Sequence, residues 1–372
     1  MFINYKEDNG ISGVKEQHNI MVFIGNGFDI SILSKYRADK LVSSYRKFYD
    51  YLCYKGFDEN NVLYQKMTED KKSGKENWSD FEYSLGELIK DGVATTDLND
   101  ALKEIQNMFL LFLNEIVNPE VLLKVSQDAE INEWGMNSLS KFLGDLCEED
   151  YKKIRFPEET YHYHMYNYLF VNFNYTSLFD NYIYLDKYQF EPRRHKTVDT
   201  NFTFYPNPNS YEKDGINSET KWSSFIMTNT IHPHGYQNIP RSLLFGIEDD
   251  SYVSNRELNR FNKSYWAQDN QKYKTYFNDT RLFIIYGISL GETDSWWWKN
   301  VYHSLLTNNS ELVIYYYNDN NYDREYVKQR FVDACKIKAT DEEKSKVKEN
   351  IYVVLHNGDS KHKMFGLEKY VI

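Results

Sequence analysis

The sequence predicts an α/β fold: a central, mostly parallel sheet with a large helical insertion after its first strand-helix unit. Three observations lead there. Residues 20 to 24 read Ile-Met-Val-Phe-Ile and run straight into Gly25-Asn26-Gly27, an apolar stretch suited to a strand buried on both faces that ends in an abrupt turn. The same grammar returns where Leu-Phe-Ile-Ile-Tyr, residues 282 to 286, meets Gly287-Ile288-Ser289-Leu290-Gly291 ahead of a helical pattern. Between the two, residues 41 to 159 carry apolar side chains three and four apart, the period of amphipathic helices.

Taken in order, residues 1 to 18 are polar and mixed in charge and are expected to form a flexible tail. The strand at 20 to 24 and the helix opened by SILSKY follow, then the helical segments KLVSSYRKFYDYL, SDFEYSLGELI, LNDALKEIQNMFLLFLNEIV and MNSLSKFLGDLCEEDYKKI. In YNYLFVNFNYTSLFDNYIY, residues 166 to 184, a buried strand ends at a small polar turn before a helical pattern, and the polar stretch 205 to 222 reads as a loop or hairpin excursion. FIMTNTIHPHGYQ, SLLFGI, RLFIIYG, ELVIYYYN and NIYVVLHNG supply further strands. This assigns 19–40 and 160–372 to the sheet domain and 41–159 to an inserted helical subdomain. Ligands of such sheets bind beyond the carboxyl ends of the strands, so three strand ends rich in glycine and small polar residues point to one crevice.

A chain of 372 residues can bury a substantial core, and its net charge of −11 argues against nonspecific binding to nucleic acid or an anionic membrane surface. The compact basic run Arg193, Arg194, His195, Lys196 reads as a solvated loop. Cys53, Cys147 and Cys335 are isolated, which suggests neither a disulfide framework nor a structural zinc site and fits a reducing cytoplasm. The longest apolar runs, MFLLFL and ELVIYYY, are too short to span a bilayer. The aromatic residues, 33 tyrosines among them, are scattered rather than repeated, so they indicate composition and not mechanism.

Four motifs carry chemistry. Gly25-Asn26-Gly27 either forms a tight turn with no ligand or lets backbone amides approach a phosphate at a helix start. The GxGxxG pattern fails at Ile30, and no GxxxxGK[ST] is present, which disfavours an ordinary dinucleotide dehydrogenase and a P-loop enzyme. Asn174 follows a strand directly, where it would hold a ribose hydroxyl or a water, or cap the next helix. His232 and His234 would share a face if the strand continued through them. No third ligand accompanies them, so metal binding is disfavoured, and a histidine beside Gly235 suits general-base work. Trp78 and Glu82 are spaced for one helical face, while Ser79-x-x-Glu82 also reads as a capping box.

Read in order, GNGFD, WSDFE, FNYT, HPHG, FGIEDD and YGISLGETD resemble the bacteriophage abortive-infection AbiH family, itself similar to the sirtuin-like fold. The resemblance implies a Rossmann-like, sirtuin-like parallel sheet and NAD as the bound substrate, with no metal. By it, Gly25, Asn26, Gly27, Phe28, Asp29, Thr176, Gly287, Ser289 and Leu290 would contact the dinucleotide. Asn174, His234 and Asp29 would be the catalytic residues, with Glu82, His232 and Asp294 behind them. The family pattern commonly has histidine where this chain has Ile288, and three isolated cysteines cannot build the zinc module of sirtuin deacylases.

The expected activity is therefore NAD hydrolysis to nicotinamide and ADP-ribose rather than protein deacylation. Such an effector needs restraint in healthy cells. A homo-oligomeric or autoinhibited state is expected, with the helical insertion as lid or contact and a phage-derived trigger or partner defence protein as activator. Two other classes compete: a catalytically silent NAD or nucleotide-binding regulator, and a metal-dependent nuclease using the two histidines. Tyr265, Trp266 and the run Trp296, Trp297, Trp298 stay unassigned, since aromatic residues at helical spacing most often serve the core.

Overall fold

The computed structural model describes residues 1–7, 11, 13–185, 200–318, 320–357 and 361–368; the basic run at Arg193, Arg194, His195 and Lys196 lies outside them. Among the described residues, the strands β1 (Gln17–Ile24), β2 (Met165–Asn172), β3 (Phe202–Phe204), β4 (Trp222–Ile231), β5 (Leu282–Tyr286), β6 (Glu311–Tyr317) and β7 (Ile351–His356) form one sheet in the order β3-β4-β2-β1-β5-β6-β7. The short edge strand β3 is antiparallel to β4, and the other six run parallel. Numbered by appearance, those six lie 3-2-1-4-5-6, the doubly wound order, with the winding reversed between β1 and β5.

Both faces of the sheet are covered, as the unbroken apolar runs require. Ile20, Val22 and Ile24 of β1 point into one core and Met21 and Phe23 into the other, and all five are fully buried. The first core is closed by α1 (Asn26–Tyr36), α2 (Tyr45–Tyr54), α3 (Val62–Lys72), α4 (Phe81–Lys90), α5 (Thr95–Ile116), α6 (Pro119–Ile131), α7 (Trp134–Lys141) and α8 (Glu148–Lys153), all of which precede β2. α5 shows why this stretch is helical: Leu98, Ala101, Ile105, Phe109 and Phe112 repeat at three and four residues and are all buried. The helical block has no separate core. Its Phe48, Phe81 and Phe109 belong to the same cluster as the sheet residues Tyr166, Tyr168 and Phe170. Phe109 also meets Tyr175 and Phe245 outside the block, at ring separations of 5.4 Å each.

Beyond β2 come α9 (Leu178–Ile183), the short α10 (Lys263–Ala267), α11 (Asp269–Lys272) and α12 (Lys274–Asp279), then α13 (Ser295–Thr307), α14 (Arg324–Ala334) and α15 (Asp341–Glu349). The second core takes Trp296, Trp297 and Trp298 from α13, whereas Tyr265 and Trp266 are exposed. No helix among the described residues is long and apolar enough to cross a membrane.

Three expectations need correction. The opening residues do not all leave the fold as a tail: β1 already begins at Gln17, Tyr5 N donates to Gln17 Oε1 at 2.9 Å, and Phe2 packs edge-on against Tyr276. SLLFGI is no strand. Leu243 and Phe245 turn into the core while Gly246 is pressed against the Phe261 carbonyl, where an added Cβ would lie 2.3 Å away. Ser79 does not cap α4; Asp80 does, accepting from Glu82 N and Tyr83 N at 3.1 Å each. Trp78 therefore precedes the helix rather than sharing a face with Glu82, and the Glu82 carboxylate is left for other partners.

Candidate functional site

The register brings the strand ends level. Ile24 pairs with Asn172 and with Tyr286, and Ile231 pairs with Val171. Gly25, Phe173 and Gly287 thus start their loops side by side, and His234, three residues past β4, stacks on Phe173. Beyond them, where the winding reverses, opens a cleft of about 520 Å³, with Tyr45, Glu82 and Phe109 of the helical block in its wall.

The glycines first serve the protein itself. Gly25 N donates to Tyr286 O at 2.9 Å and Gly27 N to Gly287 O at 2.8 Å. A Cβ on Gly27 would stand 2.8 Å from Gly287 Cα, and one on Gly287, at φ +68°, would stand 2.8 Å from Phe28 N. The loops after β1 and β5 interlock backbone to backbone, which requires glycine whether or not a ligand is present. Gly25, Asn26 and Gly27 still line the cleft, as do Gly287 and Ser289. Asn26 is held by Ser43, donating to its carbonyl at 3.0 Å and accepting from its hydroxyl at 2.5 Å. Phe28 and Leu290 depart from expectation: both side chains are core, Phe28 edge-on to Phe179 and Tyr182, Leu290 in the second cluster at φ +56°. Neither lines the cleft, because a motif names consecutive residues while a helix start and a turn send neighbouring side chains in opposite directions.

Asn174 is not a helix cap. Its amide donates to Gly25 O at 3.1 Å and to Asp29 Oδ1 at 2.9 Å, which uses both N–H groups and leaves Oδ1 as the acceptor of a residue that lines the cleft. Asp29 also accepts from the Thr176 hydroxyl at 2.6 Å. Burial pushes the Asp29 carboxyl up to about 7, although the hydrogen bonds from Thr176 and Asn174 oppose this. His232 stands behind this group and outside the cleft lining, with Nε2 3.0 Å from Asp180 Oδ1 and Nδ1 3.4 Å from the Asn174 carbonyl.

His234 turns the other way. β4 ends at Ile231, so the two imidazoles do not share a strand face. His234 stacks on Phe173 at 4.7 Å, and its Nε2 lies 3.2 Å from Asp294 Oδ1, which leaves Nδ1 as the nitrogen able to take a proton. The neighbouring glycine has a structural cause: Gly235 adopts φ +94°, and a Cβ there would collide with Ser242 O at 2.0 Å.

Lys263 completes the site, and it is almost fully buried. Its ammonium lies 3.2 Å from Asp294 Oδ1 and 3.1 Å from Glu82 Oε1. Burial alone would raise the Asp294 carboxyl, but the Lys263 ammonium and the neighbouring His234 imidazole outweigh it and hold Asp294 well below the usual carboxylate range. Burial would likewise lower Lys263, and Asp294 and Glu82 reverse that. Glu82 ties three segments together, accepting from Tyr45 OH at 3.1 Å and from Gly246 N at 2.9 Å besides pairing with Lys263. Four described carboxyls line the cleft: burial raises Asp29 to about 7 and Asp80 to about 6, Asp294 is held low, and Glu82 pairs with Lys263. Acid–base sites and structural ion-pair networks share such a spread.

The structure therefore unites Gly25, Asn26, Gly27, Asp29, Asn174, Thr176, His234, Gly287, Ser289, Glu82 and Asp294 around one cleft. Lys263 joins them without forewarning, and Asp180 stands with His232 outside the lining; FNKSYW and SLFDNY have no spacing that marks either residue. Among the described residues, no group of three histidine, cysteine, aspartate or glutamate side chains is placed to hold a metal ion.

A family model described as Bacteriophage abortive infection AbiH matches residues 21–316, from the first core strand through β6. No curated protein and no solved structure matches the chain.

Proposed function

The chain belongs to the bacteriophage abortive infection AbiH family, and from that premise we propose that it defends its host by hydrolysing NAD to nicotinamide and ADP-ribose within a sirtuin-like, Rossmann-like cleft. One observation carries the reading: beside the point where the sheet reverses, Asn174 and His234 line one cleft, Asn174 held by the buried Asp29 and His234 paired with the part-buried Asp294.

The chemistry asks little more. Nicotinamide is a cationic substituent that leaves with the C1′–N bonding pair, and the ribose passes through an oxocarbenium-like state that water captures at C1′. Asn174 Oδ1 orients the water or a ribose hydroxyl. His234 Nδ1 takes the proton of the attacking water, and Asp294 steadies the resulting imidazolium. Asp29, whose carboxyl burial raises to about 7, adds negative charge in its ionised form beside the developing positive centre. Lys263 touches no reacting atom; it positions Asp294 and Glu82.

Nicotinamide release from NAD, followed by chromatography on purified protein and in phage-infected cells, tests the reading. Loss of release in His234→Ala and Asn174→Ala variants is expected, together with loss of phage resistance. Unchanged release in His234→Ala, or no nicotinamide from wild-type protein in either setting, rejects it.

A further inference from the structure

The cleft is chemically lopsided. Each described carboxylate in the lining is already engaged away from α14: Asp29 with Asn174 and Thr176, Glu82 and Asp294, the latter from the segment after β5, with Lys263, and Asp80 as the cap of α4. Across the reversal point, beyond β5 and β6, the lining changes to Ser289, Tyr316, Tyr317 and Arg330 of α14. Arg330 is held by neutral acceptors alone, donating from Nε to Ser289 O at 3.0 Å and from Nη1 to Tyr326 OH at 3.2 Å. No carboxylate pairs with it among the described residues, and its Nη2 has no protein partner there. Lys263, the other non-histidine cation in the lining, is already matched by two carboxylates.

On the reading of the cleft as a nicotinamide dinucleotide site, the reacting ribose lies against Asn174 and His234, so the far nucleoside must extend across the reversal point towards Arg330. A doubly wound site that selects an unmodified ribose places a carboxylate to accept from its hydroxyls, whereas an arginine there accepts a phosphate. We infer that the Arg330 end of the cleft binds a phosphate on the far ribose, so that the favoured dinucleotide is the 2′-phosphorylated form. The guanidinium, anchored through Nε and Nη1, presents its remaining donors at a fixed angle. That suits a phosphate dianion, for which a charge-assisted pair is strongest.

NADH and NADPH are the probes, because they differ only in that phosphate, fluoresce on binding and carry a dihydronicotinamide that does not leave. Titration into the wild-type protein should give at least about tenfold tighter binding of NADPH, a gap of about 1.4 kcal/mol. Arg330→Ala should abolish the gap by weakening NADPH while NADH changes less than about twofold. Equal wild-type affinities overturn the inference without recourse to any variant. Equal weakening of both probes by Arg330→Ala also overturns it, since the arginine would then hold the shared pyrophosphate. If neither probe binds, the dinucleotide reading itself fails and the inference goes with it.

Discussion

Replacing Asp29 by asparagine should make the protein more stable at neutral and alkaline pH and, at the same time, less active. The carboxyl is fully buried, and burial lifts it from an ordinary 3.8 to about 7. A carboxyl raised in this way favours the folded state at low pH: its contribution is full below 3.8 and is lost as pH rises to and through about 7. The whole interval is worth ~4 kcal/mol at about 1.4 kcal/mol per pH unit. Asparagine never ionises, and it can keep both local bonds, accepting from Asn174 Nδ2 through Oδ1 and donating from Nδ2 to the Thr176 hydroxyl. Relative to wild type, Asp29→Asn should therefore gain about 1 kcal/mol at pH 4.5 and about 4 kcal/mol at pH 8. Urea denaturation of both proteins at the two pH values measures this through the shift in midpoint at constant slope. A gain that does not grow with pH, or a variant less stable than wild type at pH 8, refutes the assignment of a strained, near-neutral carboxyl at this position.

Three other outcomes follow from the same geometry. Lys263→Met leaves Asp294 and Glu82 buried without their cation and should cost about 3–5 kcal/mol, read as a lowered thermal midpoint; an unchanged midpoint would mean the two carboxylates find compensation elsewhere. Its residual nicotinamide release, if the protein folds, should shift in pH profile, because Asp294 beside His234 loses the cation that holds its carboxyl low. Gly27→Ala, which forces a Cβ against Gly287 Cα, should destabilise by about 1–3 kcal/mol. Gly287→Ala should cost more than Gly74→Ala: both sites have positive φ, but only Gly287 also meets a backbone atom, and equal losses in calorimetry would discount the interlock.

What could be read from the sequence was the frame of the site. Ile20 to Ile24 and Leu282 to Tyr286 are legible because a parallel strand buried on both faces needs an unbroken apolar run and must stop at small residues. Asn174, His234 and Asp29 are legible as candidates because each lies within five residues of a strand end. Lys263 was not, because its meaning exists only after closure: it meets Glu82 across 181 residues, and nothing periodic surrounds it. The one-residue error at Ser79 has a similar origin, since serine and aspartate both cap helices and the chain alone does not say which takes the position. SLLFGI shows the converse limit. Its apolar side chains are buried as a strand's would be, but Gly246 lies against a neighbouring carbonyl, and the backbone takes an irregular path. Phe28 and Leu290 lie within motifs, which marks them for a ligand in the sequence, while their side chains pack in the core.

The shared aromatic core also bears on how access to the cleft can be controlled. A part that swings as a body needs a seam along which it can separate, and the helical block has none on its inner side. Phe109 is wedged between Phe48 and Phe81 of the block and Tyr175 and Phe245 outside it. Lifting the block would bring these rings into water at roughly 1.5–3 kcal/mol for each large side chain, a steep barrier for a movement repeated in normal operation. The block therefore behaves as a fixed jamb rather than a door. The cleft wall away from this aromatic wedge includes the loop after β1, the segment from Gly287 to Asp294 and Arg330 of α14, and the first two are themselves locked together, Gly27 N donating to Gly287 O at 2.8 Å.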